Sequence, residues 1–127
     1  MDVIGVARHA AAPAIYRMPK VARRVNVDAT ATLVRVAEGQ PNPPRFVHAS
    51  SNAVFGPRNP HRTTAPLTAD DPMQPCDLYS GTKAEAEEIV RSSKLDWVVL
   101  RFGGVLTPDL STMPLSGDAM LFESALP

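Results

Sequence analysis

Tyr79 and Lys83 stand four residues apart in the segment DLYSGTKAEAEEIV, residues 77–90. Four residues is about one helical turn, so on a helix the phenol and the ammonium share a face and reach the same small molecule. A cation beside a phenol favours the phenolate and lowers a pKa that is otherwise about 10, which makes tyrosine usable as a general acid or base near neutrality. The same spacing also fits a half-buried tyrosine beside a solvated lysine. A second stretch bears on that choice. Residues 45–56 read RFVHASSNAVFG, where Phe46, Val47, His48 and Ala49 form a short, mostly apolar run that ends in the hydroxyls of Ser50 and Ser51. Such a run suits a strand buried on both faces of a parallel sheet. Hydroxyls at the carboxyl end of that strand lie where open α/β sheets bind ligands. Ser51 takes the functional role in this reading, and Ser50 ends strand pairing by bonding local backbone. His48 reads as a core or sheet residue.

Several elements must hold these groups in place. Residues 19–38 predict a helix with Val21, Val25, Ala29, Leu33 and Val36 as its apolar stripe, stopped by Gly39 and by Pro41, Pro43 and Pro44. Asn26 lies beside that stripe, and a neighbouring backbone group could satisfy it there. Arg17, Lys20, Arg23 and Arg24 form the wet face. In the helix of Tyr79, Asp77 is the amino-terminal cap, while Tyr79, Ala86, Ile89 and Val90 turn to the sheet and Glu85, Glu88 and Arg91 to water. Glu87 precedes Arg91 by four residues, a modestly stabilising pair. Residues 95–102, LDWVVLRF, predict a strand, and Gly103 and Gly104 allow close backbone approach at its exit. Residues 2–7, DVIGVA, predict another. Between the two motifs, residues 57–75 form a long loop rich in Pro, Thr and Asp that could line a cleft, with Asp70 and Asp71 as solvated charges. Residues 107–127 read as an irregular tail.

Taken together, S-S-N-A-V-F-G followed by Y-S-G-T-K resembles the extended short-chain dehydrogenase/reductase group, specifically the NAD-dependent epimerase/dehydratase family. The resemblance implies a catalytic set of Ser51, Tyr79 and Lys83. It implies that Asn26 lies close to a nicotinamide ribose, where Tyr79 and Lys83 also bind, and that the backbone at Phe102 and Gly103 passes the nicotinamide end. The implied cofactor is NAD or NADP, the implied substrate a sugar nucleotide or a steroid-like alcohol, and the implied assembly a homodimer through the helix of Tyr79 and the one before it. The fold expected is α/β, a partial Rossmann-type parallel sheet of about three strands flanked by helices, in a single domain over residues 1–127. The family's G-x-x-G-x-x-G segment does not occur in these residues. A glycine turn into a helix amino terminus is what lets backbone N–H groups approach a pyrophosphate. The expectation is therefore a truncated member with weak or absent dinucleotide affinity; the alternative is a catalytically silent remnant, or a nucleotide-sensing or partner-binding protein of this fold.

Composition narrows the classes further. Thirteen Lys and Arg balance thirteen Asp and Glu, so nothing draws the chain to nucleic acid or an anionic membrane. With 44% apolar and 20% charged residues the chain is globular in type. Cys76 is the single cysteine, which precludes an internal disulfide and points to the cytoplasm, and no Cys/His spacing suggests a metal. No apolar run approaches the ~18 to 20 residues needed to cross a bilayer.

Overall fold

A computed structural model describes residues 18–57 and 66–103 of the chain. The strand expected at 2–7 and the tail at 107–127 lie outside the described residues, as does Gly104. Within them, helix α1 (Pro19–Arg23), a π-helical stretch (Arg24–Asp28) and helix α2 (Ala29–Glu38) run on continuously over the residues predicted as one helix. Pro19 occupies the first turn, where its missing N–H costs nothing.

The buried face of this run is not the predicted one. Ala22, Asn26, Val27, Thr30, Val34 and Ala37 turn inward, while Val21, Ala29, Leu33 and Val36 are exposed and Val25 is half-buried. The true face lies one residue, or about 100°, round the helix from the expected stripe. Apolar patterning misplaces it because Asn26 and Thr30 are buried with their hydrogen bonds made. The Asn26 amide donates to Thr82 Oγ1 at 3.0 Å, and the Thr30 hydroxyl donates to the Asn26 carbonyl at 2.7 Å. Small side chains at Ala22, Thr30 and Ala37 also suit close approach to a second helix.

That second helix, α3 (Leu78–Arg91), connects two parallel strands, β1 (Phe46–Ser51) and β2 (Trp97–Phe102), in a βαβ crossover. The register runs from Phe46 opposite Trp97 to Ser51 opposite Phe102, so both strands end level. Asp77 caps α3 as expected. Its carboxylate accepts from Ser80 N at 2.7 Å, and the Ser80 hydroxyl accepts from Asp77 N at 3.1 Å. One apolar cluster joins α2, α3 and the sheet: Val34, Ala37, Val90 and Leu95, with Phe46, Ile89, Trp97 and Val99 packed against them.

Two parallel strands of the expected sheet stand in the described residues, and the third expected one, at 2–7, lies outside them. One expectation about the sheet needs correction: β1 is not buried on both faces. His48 and Ser50 are buried, whereas Val47 is 45% exposed. Strand alternation sends these sets to opposite sides, and among the described residues the helices cover one side only.

After β1 a short 3₁₀ turn (Asn52–Phe55) leads to Gly56, whose φ of 73° is the left-handed value that favours glycine. A Cβ there would lie 2.3 Å from the Gln74 carbonyl oxygen. The glycine is required because the returning loop crosses at this point, with Gln74 N donating to Val54 O at 2.8 Å. The described end of that loop, residues 66–75, thus closes on the end of β1, and Asp71 spends its carboxylate on Thr68 N at 2.7 Å instead of on solvent alone.

Candidate functional site

The site lies where β1 ends and α3 begins. Extended backbone at Ser51 turns its side chain toward the first turn of α3, and the Ser51 hydroxyl accepts from Ala53 N at 3.2 Å and stands near enough to the Tyr79 phenol to lower its pKa. Tyr79 and Lys83 are both buried, Lys83 to 5% exposure. The Lys83 ammonium donates to the Ala49 carbonyl at 3.1 Å and lies 6.0 Å from the centre of the Tyr79 ring. Ser51, Tyr79 and Lys83 are therefore brought together, from one strand tip and one helix face.

The electrostatics differ from the simple spacing argument. Burial pushes the Tyr79 phenol above its ordinary value; the Ser51 hydrogen bond works against that and the Asp77 charge adds to it. A neighbouring ammonium was expected to bring the phenol down, but removal from water dominates. Lys83 is lowered, chiefly by burial, with the Glu87 charge opposing. Near neutrality Tyr79 is thus a protonated phenol.

The remaining predicted positions fall differently. Asn26 is buried in the π-helical stretch, and its amide donates to Thr82, the neighbour of Lys83, rather than to local backbone. π-helical turns occur mostly as single insertions and often at functional sites. Phe102 sits opposite Ser51 with 48% of its surface exposed at the strand end. Gly103 follows it, and a Cβ there would meet Asn52 Nδ2 at an ordinary 3.5 Å, so the chain's own packing does not demand glycine at that position.

Ser50 is a clear correction. Its hydroxyl does not bond local backbone; it donates to Glu87 Oε1 at 2.5 Å. Glu87 itself is completely buried, where the sequence placed it only in a surface-type pair with Arg91. Its main partner is Arg101, whose Nε and Nη2 reach the two carboxylate oxygens at 3.0, 3.2 and 2.8 Å. Sequence reasoning passed over this cluster, although two signals were available: Glu87 is a further turn along the face of Tyr79 and Lys83, and Arg101 interrupts an apolar strand. His48 is a core residue as expected. Its Nε2 has no hydrogen-bond partner, and burial with the Lys83 charge lowers its pKa to about 4.

Two parallel strands in a βαβ crossover, with a serine at the strand tip and a tyrosine and lysine on the crossover helix, define a Rossmann-type α/β unit of the short-chain dehydrogenase/reductase kind. Comparison with known proteins agrees. The family model described as the RmlD substrate binding domain matches residues 2–112, and the chain belongs to that family. Among solved structures, it is similar to RMD from Pseudomonas aeruginosa in complex with NADPH, with a TM-score of 0.69 and 20% identity over 81% of this chain and 35% of that one. It is also similar to a UDP-N-acetylglucosamine 4-epimerase from Methanobrevibacter ruminantium M1 in complex with UDP-N-acetylmuramic acid, with a TM-score of 0.67 and 26% identity over 93% and 40% of the two chains. A short-chain dehydrogenase/reductase superfamily protein from Agrobacterium tumefaciens with bound NAD shares 36% identity over 76% of this chain and 29% of that one, with a TM-score of 0.57. Curated protein sequences give no match. The chain spans about a third of the length of the solved structures it matches.

Proposed function

We propose that this chain carries the proton-transfer site of an NAD(P)-dependent oxidoreductase of the epimerase/dehydratase type, acting at a sugar-nucleotide or alcohol carbon. The observation that supports it most is the buried Tyr79 beside Ser51, with Lys83 buried one turn further along the same helix and held by the Ala49 carbonyl of the strand that ends in Ser51. In this reading Ser51 holds the substrate oxygen, Tyr79 gives a proton to that oxygen or takes one from it, and Lys83 offers its ammonium to a ribose hydroxyl and to the phenol. As the chain stands, the protonated phenol is set to donate. Its use as a base requires added positive charge at the site to bring the phenol down.

A nicotinamide cofactor, when bound, supplies the hydride acceptor or donor. The residues fit its nicotinamide-ribose end: a buried ammonium, a phenol and a serine hydroxyl gather at the carboxyl ends of two parallel strands. They do not fit the pyrophosphate. Of the two helix starts described, one carries Pro19 in place of an N–H and the other is filled by the Asp77 carboxylate. A truncated enzyme, with its phosphate cradle outside these residues, is part of the proposal. So are a cytoplasmic site of action and a homodimer through α1, α2 and α3, which the exposed side chains Val21, Leu33 and Val36 support.

The test is titration of the chain with NADH and NADPH by fluorescence, followed by turnover assays with UDP- and dTDP-sugars and simple secondary alcohols. The expected result is saturable binding and a turnover that Tyr79→Phe lowers by about 10²-fold or more, with cofactor affinity little changed. Saturable binding without turnover would replace the proposal with a cofactor-sensing role, and no binding at all with a catalytically silent remnant. Sedimentation velocity checks the dimer, and a monomer insensitive to concentration would rule it out.

A further inference from the structure

Below Lys83 on the same face of α3, the fully buried Glu87 carboxylate is held from all three elements around it. Arg101 on β2 grips both oxygens, Ser50 on β1 donates to one, and Arg91 on α3 stands 3.5 Å away. Arg101 reaches further. Its guanidinium lies over the Phe55 ring, 4.6 Å from the ring centre, and its Nη1 donates to the Ala69 carbonyl at 3.1 Å. One ion pair thus joins the helix of Tyr79, the strand that ends in Ser51, the turn after Ser51 and the returning loop. Stability alone does not account for it, because apolar side chains of the same volume commonly fill such a place at equal or lower cost.

We propose that Glu87 is a positioning residue of the site, whose carboxylate keeps the Lys83 ammonium charged beside Tyr79 and, through Ser50, fixes the strand end that carries Ser51. It touches no substrate and acts through its neighbours. The inference rests on the reading of Lys83 as a site residue given under Proposed function. The groups facing this cluster are Tyr79, Lys83 and Arg91 from α3, His48 from β1 and Arg101 from β2. His48 is neutral near neutrality, so among these groups Glu87 carries the one negative charge, and without it the buried ammonium would lose the carboxylate that offsets its burial. The titration directions agree. Burial lowers Lys83 while the Glu87 charge raises it. Burial would raise Glu87, but the hydrogen bonds from Arg101 and Ser50 and the charges of Arg101 and Arg91 carry it below its usual value.

The chain has three lysines, Lys20, Lys83 and Lys94, so the ε-methylene signals of ¹³C-labelled lysine can be followed one by one through a pH titration. In Glu87→Gln the Lys83 midpoint should fall by about one pH unit or more, with Lys20 and Lys94 unmoved. The double variant Glu87→Gln/Arg101→Met removes both buried charges and should stay folded if the single variant does not, and its Lys83 midpoint should also lie below that of the parent. A folded double variant whose Lys83 titrates as in the parent overturns the proposal and leaves Glu87 a packing residue. This readout needs neither cofactor nor turnover. Failure of NADH and NADPH to bind would count against the oxidoreductase reading without moving it.

Discussion

The two ends of α3 are built on opposite principles. Its carboxyl-terminal end buries Val90 against Val34, Ala37 and Leu95, an apolar cluster that needs only shape. The stretch from Tyr79 to Glu87 buries the polar side chains of Tyr79, Ser80, Thr82, Lys83 and Glu87, with Ala84 and Ala86 among them, at a depth where every unmet hydrogen bond is costly. The polar half persists because partners arrive from separate elements: Ser51, Ala49 and Ser50 from β1, Asn26 from the π-helical stretch and Arg101 from β2. Apolar burial stabilises one end of the helix, and at the other the structure holds polar groups in fixed relation at some expense of stability.

Removing one half of the buried ion pair should break this contrast most sharply. Glu87→Ala strands the Arg101 guanidinium, and a loss of about 3 to 5 kcal/mol in urea unfolding is expected. Exchanging both charges for neutral groups should recover most of it; if Glu87→Ala unfolds like the parent, the polar half is not under the tension described.

Acid should find the same polar region next. His48 has its pKa lowered from 6.5 to about 4 in the folded chain, so between those values the unfolded chain binds a proton that the folded one refuses. Stability therefore falls as pH drops through that window, by up to about 3 kcal/mol in all. Glu87, also lowered, is lost in the same direction at lower pH. Comparing the pH dependence of unfolding in the parent and in His48→Leu isolates the histidine's share, which would be disproved by parallel curves.

Val90→Ala probes the apolar end. A cavity there should cost about 2 to 3 kcal/mol while leaving the Lys83 titration where it was. A Lys83 shift in this variant would mean that the two ends are not independent. The smallest effect is expected at the cap. Asp77→Ala should cost about 1 kcal/mol by calorimetry, since the Ser80 N–H loses its acceptor.

Much of this was legible in the residues. The strand from Phe46 to Ser51 and the cap at Asp77 follow from local pattern, as does the turn-to-turn placement of Tyr79 and Lys83, because each depends on a few consecutive side chains. The family was legible through two short motifs in the right order. The buried face of the helix at 19–38 was not. Its inward side carries Asn26 and Thr30, and a polar residue whose hydrogen bonds are made by a distant helix looks, in sequence, like one that faces water. The same blindness hid Glu87, whose partners Ser50 and Arg101 are 37 and 14 residues away.

Local chemistry alone determined that a serine, a phenol and an ammonium were available, and on which elements they would ride. The protonation of those groups was decided only by tertiary structure. A lysine four residues from a tyrosine favours the phenolate in water, yet burial of both raised the phenol and lowered the ammonium, with the Glu87 charge opposing the change at Lys83. Desolvation depends on everything that surrounds a group, and no spacing along the chain encodes it.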